Sequence, residues 1–297
     1  MRLHRLVSAL LLATSLACAS TSQRGSPSLA AQNQAAREPG VLRVMTYNIK
    51  YATRGMDGIA EALRAANPDI VALQEVDSGS RRAGGADQAT VLAERTGLPY
   101  HAHFRTRDVD GGAYGIALLS RFPLETLEQY ALPVPPGGEP RTVVHAVIRV
   151  GGREVSVYLT HLTHPPFRDR TRLHQSLFIS GLLAKDSRPK LLLGDLNDGP
   201  DSYPLRLLRR YVRDVFAESG SGPAGTFQVP VPIIAPTVRI DYVLACDAFT
   251  PLRSQVMRVD ASDHFPVVAD VQLEAAPSSA RLAPSGAGAP GAADPTR

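Results

Sequence analysis

At 297 residues, with 44% hydrophobic and 20% charged residues, the chain has enough apolar content to build a full core in one large domain or two small ones. Its formal net charge of +4, carried mostly by arginine and without a dense basic block, permits an anionic substrate without demanding nucleic acid. Only two cysteines occur, Cys18 and Cys246, which excludes a disulfide-stapled scaffold.

The chain opens on an export signal, expected over residues 1–18. Met1-Arg2-Leu3-His4-Arg5 is a basic n-region, and Leu6 to Leu16 is an apolar stretch too short to span a bilayer as a mature helix. Ala17-Cys18-Ala19 resembles a bacterial lipoprotein cleavage box, in which Cys18 becomes the lipidated first residue. Ser15 and Leu16 depart from the usual pattern, and simple cleavage at an A-x-A-like site formed by Ala17 and Ala19 is the alternative. Either route exports the chain, as a membrane-anchored lipoprotein or as a periplasmic or extracellular protein. Residues 19–40 are rich in Ser, Gln, Ala and Gly and read as a flexible linker. Residues 41–274 form one expected domain. The Ala, Pro, Ser and Gly of residues 275–297 read as a disordered tail.

Within the domain, Val41 to Ile49 predicts a strand and Asp57 to Ala66 a helix that Asn67-Pro68 terminates. Asp69 to Val76 predicts a buried strand, followed by a helix over Asp87 to Thr96 with Gly97 as its stop. Tyr114 to Ser120, Thr142 to Val150 and Glu154 to Leu162 predict strands, the last two joined by a hairpin at Gly151-Gly152. A helix from about Arg168 to Ala184 leads to a strand over Lys190 to Gly194. Arg239 to Ala245, Gln255 to Val259 and Phe265 to Leu273 supply three more strands. His101 and His103 alternate along a further strand-like stretch, where a surface face is their default explanation. Many strands with a few helices predict packed sheets flanked by helices.

Six short polar motifs abut apolar runs: Thr46-Tyr47-Asn48, Leu73-Gln74-Glu75, Thr160-His161-Leu162, Gly194-Asp195-Leu196-Asn197, Arg239-Ile240-Asp241-Tyr242 and Ser262-Asp263-His264-Phe265. Acidic, amide and imidazole side chains at the exits of buried strands are costly unless they meet a metal, each other or a charged substrate. Singly, each has an ordinary explanation. Asn48 can turn the chain, Glu75 can be a rim charge, and Asp195 with Asn197 and Asp198 can form an Asx-rich turn. His161 and His264 can be satisfied polar residues at a sheet margin. Asp241 is harder to dismiss, because an aspartate inside an apolar run needs a partner. Oxygen donors of this kind suit Mg²⁺, Mn²⁺ or Ca²⁺ and not zinc.

Together and in this order, the motifs resemble those of the endonuclease/exonuclease/phosphatase (DNase I-like) superfamily over about Val41 to Leu273. Pro68-Asp69-Ile70-Val71-Ala72-Leu73-Gln74-Glu75-Val76 and Tyr114-Gly115-Ile116-Ala117-Leu118-Leu119-Ser120-Arg121 add to the match. The resemblance implies an α+β fold, a four-layer α/β/β/α sandwich with the site at the sheet ends. It implies a hydrolase cleaving phosphoric esters with Mg²⁺, or with Mn²⁺ or Ca²⁺ in its place. Asn48 and Glu75 become metal ligands, with Asp263 nearby. Asp195 and Asn197 hold water and a phosphate oxygen, Asp241 orients His264, and His161 stands near the leaving oxygen. Arg141 matches a commonly basic, substrate-binding position, for which a rim arginine is an equal reading. Whether Asp195 or His264 removes the water proton stays open.

The resemblance implies a phosphate-ester substrate of lipid, inositol or nucleotide type, monoester or diester. Nucleic acid is not favoured: there is no tryptophan, and Arg81-Arg82, Arg105 and Arg107 sit among Asp77, Asp108 and Asp110. A secreted non-specific nuclease and an inactive binding protein on the same fold are the alternatives. His164 and His174 lie beside the expected site and read as substrate-edge or structural residues. A monomer is expected, with membrane association only through a lipidated Cys18.

Overall fold

The computed structural model describes residues 37–164, 169–230 and 237–275. The expected signal peptide, its lipidation residue Cys18, most of the linker and all but the first residue of the tail lie outside the described residues.

The strands are β1 (Val41–Asn48), β2 (Ile70–Ser78), β3 (Tyr100–Val109), β4 (Gly112–Ser120), β5 (Thr126–Ala131), β6 (Thr142–Val150), β7 (Arg153–His161) and β8 (Lys190–Asp195). Short strands β9 (Arg213–Asp214), β10 (Gly220–Ser221), β11 (Phe227–Gln228) and β12 (Thr237–Val238) precede β13 (Asp241–Ala245), β14 (Phe249–Val256) and β15 (Val267–Leu273). The helices are α1 (Met56–Ala66), α2 (Gln88–Thr96), α3 (Asp169–Lys185), α4 (Tyr203–Leu208) and α5 (Val215–Ser219). One large sheet has seven strands in the order β10-β14-β15-β1-β2-β4-β3, the other has six in the order β5-β6-β7-β8-β13-β9, and β11 pairs with β12 in a separate two-stranded sheet.

Strand alternation explains how they stack. Val44, Ile70 and Leu118 from the first sheet share one apolar cluster with Val144, Val157, Leu193 and Val243 from the second. The opposite face of the first sheet, with Met45, Leu73 and Leu119, packs on Ile59 and Leu63 of α1 and Leu92 of α2. The outer face of the second, with Val143, Leu192 and Leu244, packs on Ile179 and Leu183 of α3 and Leu205 and Leu208 of α4. The order of layers is therefore α/β/β/α, the sandwich expected. Helix ends also follow local chemistry: Asn67 closes α1 at φ 48°, Asp87 caps α2 by accepting from the Thr90 N–H at 2.9 Å, and Gly97 ends it at φ 69°.

Some strands differ from expectation. The strand-like stretch at His101 and His103 is a full strand, β3, and β5 carries no sequence signal; both lie at sheet edges. Edge strands bury one flank at most, so β5, exposed at five of its six positions, needs no apolar alternation. The strand expected at Gln255 to Val259 lies earlier, as β14, where Pro251 and Arg253 flank a register shift that breaks its period.

The registers place the polar exits side by side. β1 and β2 run parallel with Asn48 opposite Gln74. In the other sheet His161 of β7 is opposite Asp195 of β8, and Asp195 is opposite Asp241 of β13. Gly194 permits this row: a Cβ there would stand 2.1 Å from the Thr160 carbonyl oxygen, so the close approach it allows is that of β7 itself.

Candidate active site

Both sheets deliver polar side chains to one end of the sandwich. In β2 the pairing with β4 shifts between Gln74 and Val76, and Glu75, at the shift, has φ 57°. Such a bulge takes one residue out of the strand's alternation. It turns the Glu75 carboxylate to Asn48, whose Nδ2 donates to Glu75 Oε1 at 3.0 Å and to Asp195 Oδ2 at 3.1 Å. One amide thus ties the ends of the two sheets together. Beyond it, Lys50, Tyr51 and Ala52 have φ of 46°, 41° and 55°, and the Lys50 N–H donates to Asn48 Oδ1 at 3.1 Å. Three successive left-handed residues are strained for side chains of this size, and the strain falls where the chain must leave the site at once.

Asp195 is the centre of the second group. Its Oδ2 lies 3.5 Å from His161 Nε2 and 3.8 Å from His264 Nε2, while its Oδ1 accepts from the Asn197 N–H at 2.9 Å. Asn197 takes φ 50°, and its Nδ2 donates to the Leu162 carbonyl at 3.0 Å. On the far side of His264, Nδ1 meets Asp241 Oδ2 at 2.9 Å. Asp195, Asp241 and His264 are all buried, and each offers a ligand atom within 4.8 Å of the others.

These groups set one another's charge. Burial, then the negative charge of Asp241, pushes the Asp195 carboxyl above its ordinary value. Burial opposes charge on His264, but Asp241 and Asp195 outweigh it and hold the imidazole protonated well above its ordinary range. His161 goes the other way: burial, then the positive charges of Arg141, His264 and His164, keeps it neutral. One imidazolium, one neutral imidazole and a carboxylate reluctant to stay charged share the pocket.

Of the other expected site residues, Asp263 meets Lys50 Nζ through Oδ2 at 2.5 Å. Its neighbour Ser262 fastens this loop to β1 by donating from Oγ to the Asn48 carbonyl at 2.8 Å. Arg141 is only 5% exposed and pairs with Glu139 at 2.9 Å, so its side chain is not a rim group. His164 Nδ1 lies 3.2 Å from Asn197 Oδ1, and His174 is exposed on α3. Arg81, Arg82 and Arg105 are each held by an aspartate, Asp110, Asp77 and Asp108.

Two contributors went unnoticed in the sequence. Thr226 Oγ1 accepts from the Ile240 and Asp241 N–H groups at 3.0 and 3.1 Å, and its carbonyl accepts from the Phe265 N–H at 2.6 Å. Phe227 then lays its ring against His264 with centroids 4.7 Å apart. Neither residue carries a charge or ends an apolar run; the usable signal was Gly225, whose missing Cβ lets Thr237 approach, at 2.1 Å from where that atom would stand. Thr226→Val should leave both N–H groups without their acceptor. The expected result is a loss of about 2 kcal/mol in urea unfolding, with a fall in kcat larger than any change in KM.

The residues present fit a divalent cation. Glu75 and Asn48, with Asp195 beside them, offer carboxylate and amide oxygens, the set expected for a hard ion. Asp241 Oδ1 is buried without a hydrogen-bond partner, and the Glu75 and Asp195 carboxylates both meet the Asn48 amide, where a cation would offset their negative charge.

Comparison with known proteins agrees with the geometry. A structure described as an endonuclease/exonuclease/phosphatase from Beutenbergia cavernae is 27% identical, with a TM-score of 0.65 over 80% of this chain and 73% of that one. A mannosyl-6-phosphatase from Bacteroides thetaiotaomicron is similar at 20% identity and TM-score 0.62, over 77% of this chain and 99% of that one. The human Nocturnin catalytic domain, solved with a bound sulfate anion, is 19% identical with a TM-score of 0.62, over 78% of this chain and 93% of that one. The last two are likenesses of fold alone. Among curated proteins, protein cwh43 of Schizosaccharomyces pombe is 29% identical over 163 residues; the match takes in 55% of this chain but spans only 16% of that relative's length. The sequence profile of the Endonuclease/Exonuclease/phosphatase family matches residues 45–264, from the strand that carries Asn48 to His264 itself, and the chain belongs to that family.

Proposed function

We propose that the chain is a divalent-metal-dependent hydrolase of phosphoric esters, acting by in-line attack of water. The observation that carries this reading is the convergence on Asp195, whose Oδ2 faces Asn48, His161 and His264 within 3.8 Å. Glu75 and Asn48 would hold the cation, which when bound supplies charge to the phosphoryl oxygens and to the leaving alkoxide. The chain's own groups do the rest. Asp195, with Asn197 beside it, orients the water and accepts its proton. His264, kept as an imidazolium by Asp241, faces the phosphoryl oxygens, where negative charge builds in the transition state. Neutral His161 stands beside the leaving oxygen, and Arg141 binds the anionic substrate.

Small phosphate esters suit this site better than a nucleic-acid strand. A strand needs a row of available cations, while the arginines at this rim already have carboxylate partners. The test is a metal titration on protein stripped with EDTA. Turnover of bis-p-nitrophenyl phosphate, p-nitrophenyl phosphate or inositol phosphates should be absent after stripping and return with Mg²⁺ or Mn²⁺. If these esters, sphingomyelin and DNA all stay intact with both metals, the hydrolase reading fails.

We also propose that the leader exports the chain and that Cys18 anchors it to a membrane. Mass spectrometry of the mature N-terminal peptide should find a diacylglyceryl group on Cys18. An unmodified peptide beginning after Ala19 would replace the anchor with simple secretion.

A further inference from the structure

The helix layer outside the second sheet carries a face that the candidate site does not use. In α4 and the turn after it, the run Tyr203-Pro204-Leu205-Arg206-Leu207-Leu208-Arg209-Arg210-Tyr211 sorts its residues by side. Pro204, Leu205, Leu207 and Leu208 are buried, while Tyr203, Arg206, Arg209, Arg210 and Tyr211 are exposed. The winding continues past α4: the Arg209 N–H donates to the Leu205 carbonyl at 3.0 Å, and the Tyr211 N–H to the Leu208 carbonyl at 2.9 Å. Arg206 therefore stands one turn from Arg209 and Arg210 on the same side. Beside α4, α3 shares its apolar underside through Ile179 and Leu183. It leaves Leu177 and Phe178 49% and 38% exposed.

The positive charge on this face is not cancelled. Between Ser202 and Val212 there are three arginines and no acid, and α3 has no acid from Arg170 to Lys185. Among the described residues, no carboxylate pairs with Arg209 or Arg210. Acids that border the face are already held: Asp198 by Arg172 at 3.0 Å, Asp186 by Arg188 at 2.9 Å and Glu218 by Arg213 at 2.5 Å. Arg206 donates to the Asp201 backbone carbonyl, a contact that leaves its charge in place. Like charges one turn apart repel, so the fold keeps this row at a cost. Apolar surface gathers there too. Of the eight large apolar side chains exposed among the described residues, four, Leu177, Phe178, Tyr203 and Tyr211, belong to this layer.

We propose that this face of α3 and α4 docks on an anionic phospholipid bilayer. There the guanidiniums meet lipid phosphates, the tyrosine rings sit at the level of the head groups, and Leu177 and Phe178 enter the acyl boundary. A nucleic acid offers the same phosphates but no apolar layer to take Leu177 and Phe178 out of water. An acidic protein would need an apolar pocket matched to those two side chains; a bilayer supplies both chemistries at every point of its surface. The docking needs neither a lipid on Cys18 nor the hydrolase reading, and it is a separate route to a membrane carried by the folded domain. Both helices begin at the site end of the sandwich, α3 after His161 of β7 and α4 after Asn197, so the face starts beside the site's rim.

The test uses the mature chain beginning after Ala19, which keeps every described residue and carries neither the apolar leader nor an acyl group. In a sedimentation assay, vesicles of equal parts phosphatidylglycerol and phosphatidylcholine should bind it about tenfold or more tighter than phosphatidylcholine alone, and added salt should weaken the binding. Arg209→Gln with Arg210→Gln should lower the affinity about thirtyfold, or about fivefold for each arginine at a lipid surface. Leu177→Ser with Phe178→Ser should lower it about tenfold. All four positions are exposed, and equal melting temperatures show that each variant is folded. The chain has no tryptophan, so Phe178→Trp places a sole indole fluorophore on the face. Its emission should shift to the blue on the mixed vesicles and be quenched by lipids brominated along the acyl chain. Equal affinity for the two kinds of vesicle, an arginine-pair variant that binds like the parent, or unmoved Phe178→Trp emission on vesicles that hold the protein overturns the proposal. Duplex DNA or polyglutamate bound more tightly than the mixed vesicles at equal salt would replace the bilayer with a soluble polyanion and overturn it as well.

Discussion

Asp195→Asn should slow the metal-loaded protein about 10³-fold in kcat on bis-p-nitrophenyl phosphate, with its melting temperature within a few degrees of the parent. The two expectations come from the same contacts. Among the described residues, Asp195 is the carboxylate that faces both imidazoles, so an amide there cannot take a proton while Asn48, His161 and His264 remain in place. Stability is nearly untouched because two changes oppose each other. The variant loses one acceptor, for Asn48 or for the Asn197 N–H, and is relieved of a buried charge beside Asp241.

In metal-free protein, pH reports on the same carboxyl. The folded Asp195 carboxyl is raised, so its contribution to stability is fully present below the ordinary carboxylate range and is lost as pH rises through the folded value. The amide of the Asp195→Asn variant does not titrate. The variant should therefore gain on the parent as pH is raised from 4 towards neutrality, a range set by about 3.9 for a free aspartate. His264→Gln should cost about 10³-fold as well, and the double variant little more than either single one, since both serve one transition state. A fully active Asp195→Asn protein would show that the water is oriented elsewhere.

How far this site was legible in the sequence depends on what each residue does locally. Asn48, Glu75, His161 and Asp195 stand where an apolar run stops and His264 where one begins, and those boundaries are visible without a structure. The row His161, Asp195 and Asp241 was not, because it depends on the registers of β7, β8 and β13, and β13 is far from β8 in the chain. The Glu75 bulge was equally hidden: the sequence shows an uninterrupted strand, and only pairing with β4 reveals the extra residue. Thr226 and Phe227 act through an acceptor oxygen and a ring face, which any threonine or phenylalanine could offer. The same holds for the layers. Buried strands declared themselves by their apolar runs, while the edge strands β3 and β5, with little to bury, carried a weak signal or none.

Asp270→Asn should destabilise the protein by about 3–5 kcal/mol at neutral pH, the usual cost of leaving a buried charge without its partner. In β1, Arg43 alternates with Leu42 and Val44 as a solvent-facing residue would, yet it is 1% exposed. Directly opposite it in β15 lies Asp270, which accepts from Arg43 Nε at 2.6 Å and from Nη2 at 2.9 Å. Arg253 of β14 adds a second donor to Asp270 at 3.0 Å, and Arg43 Nη1 reaches on to the Ala66 carbonyl at the end of α1 at 3.1 Å. One carboxylate therefore joins three adjacent strands and, through Arg43, the helix layer above them. Burial works against the Asp270 charge, but the bonds and charges of Arg43 and Arg253 prevail and hold its carboxyl below the ordinary range. A depressed carboxyl contributes stability above its unfolded pKa and loses it as pH falls through the folded value. Urea unfolding should therefore show a wide gap between parent and variant at pH 7, closing as the solution is taken below about pH 4. Replacing both partners, Arg43→Met with Asp270→Leu, should recover much of the loss, because neither charge is then buried alone. A single variant within about 1 kcal/mol of the parent would mean that water reaches the pair and that apolar packing alone holds these layers together.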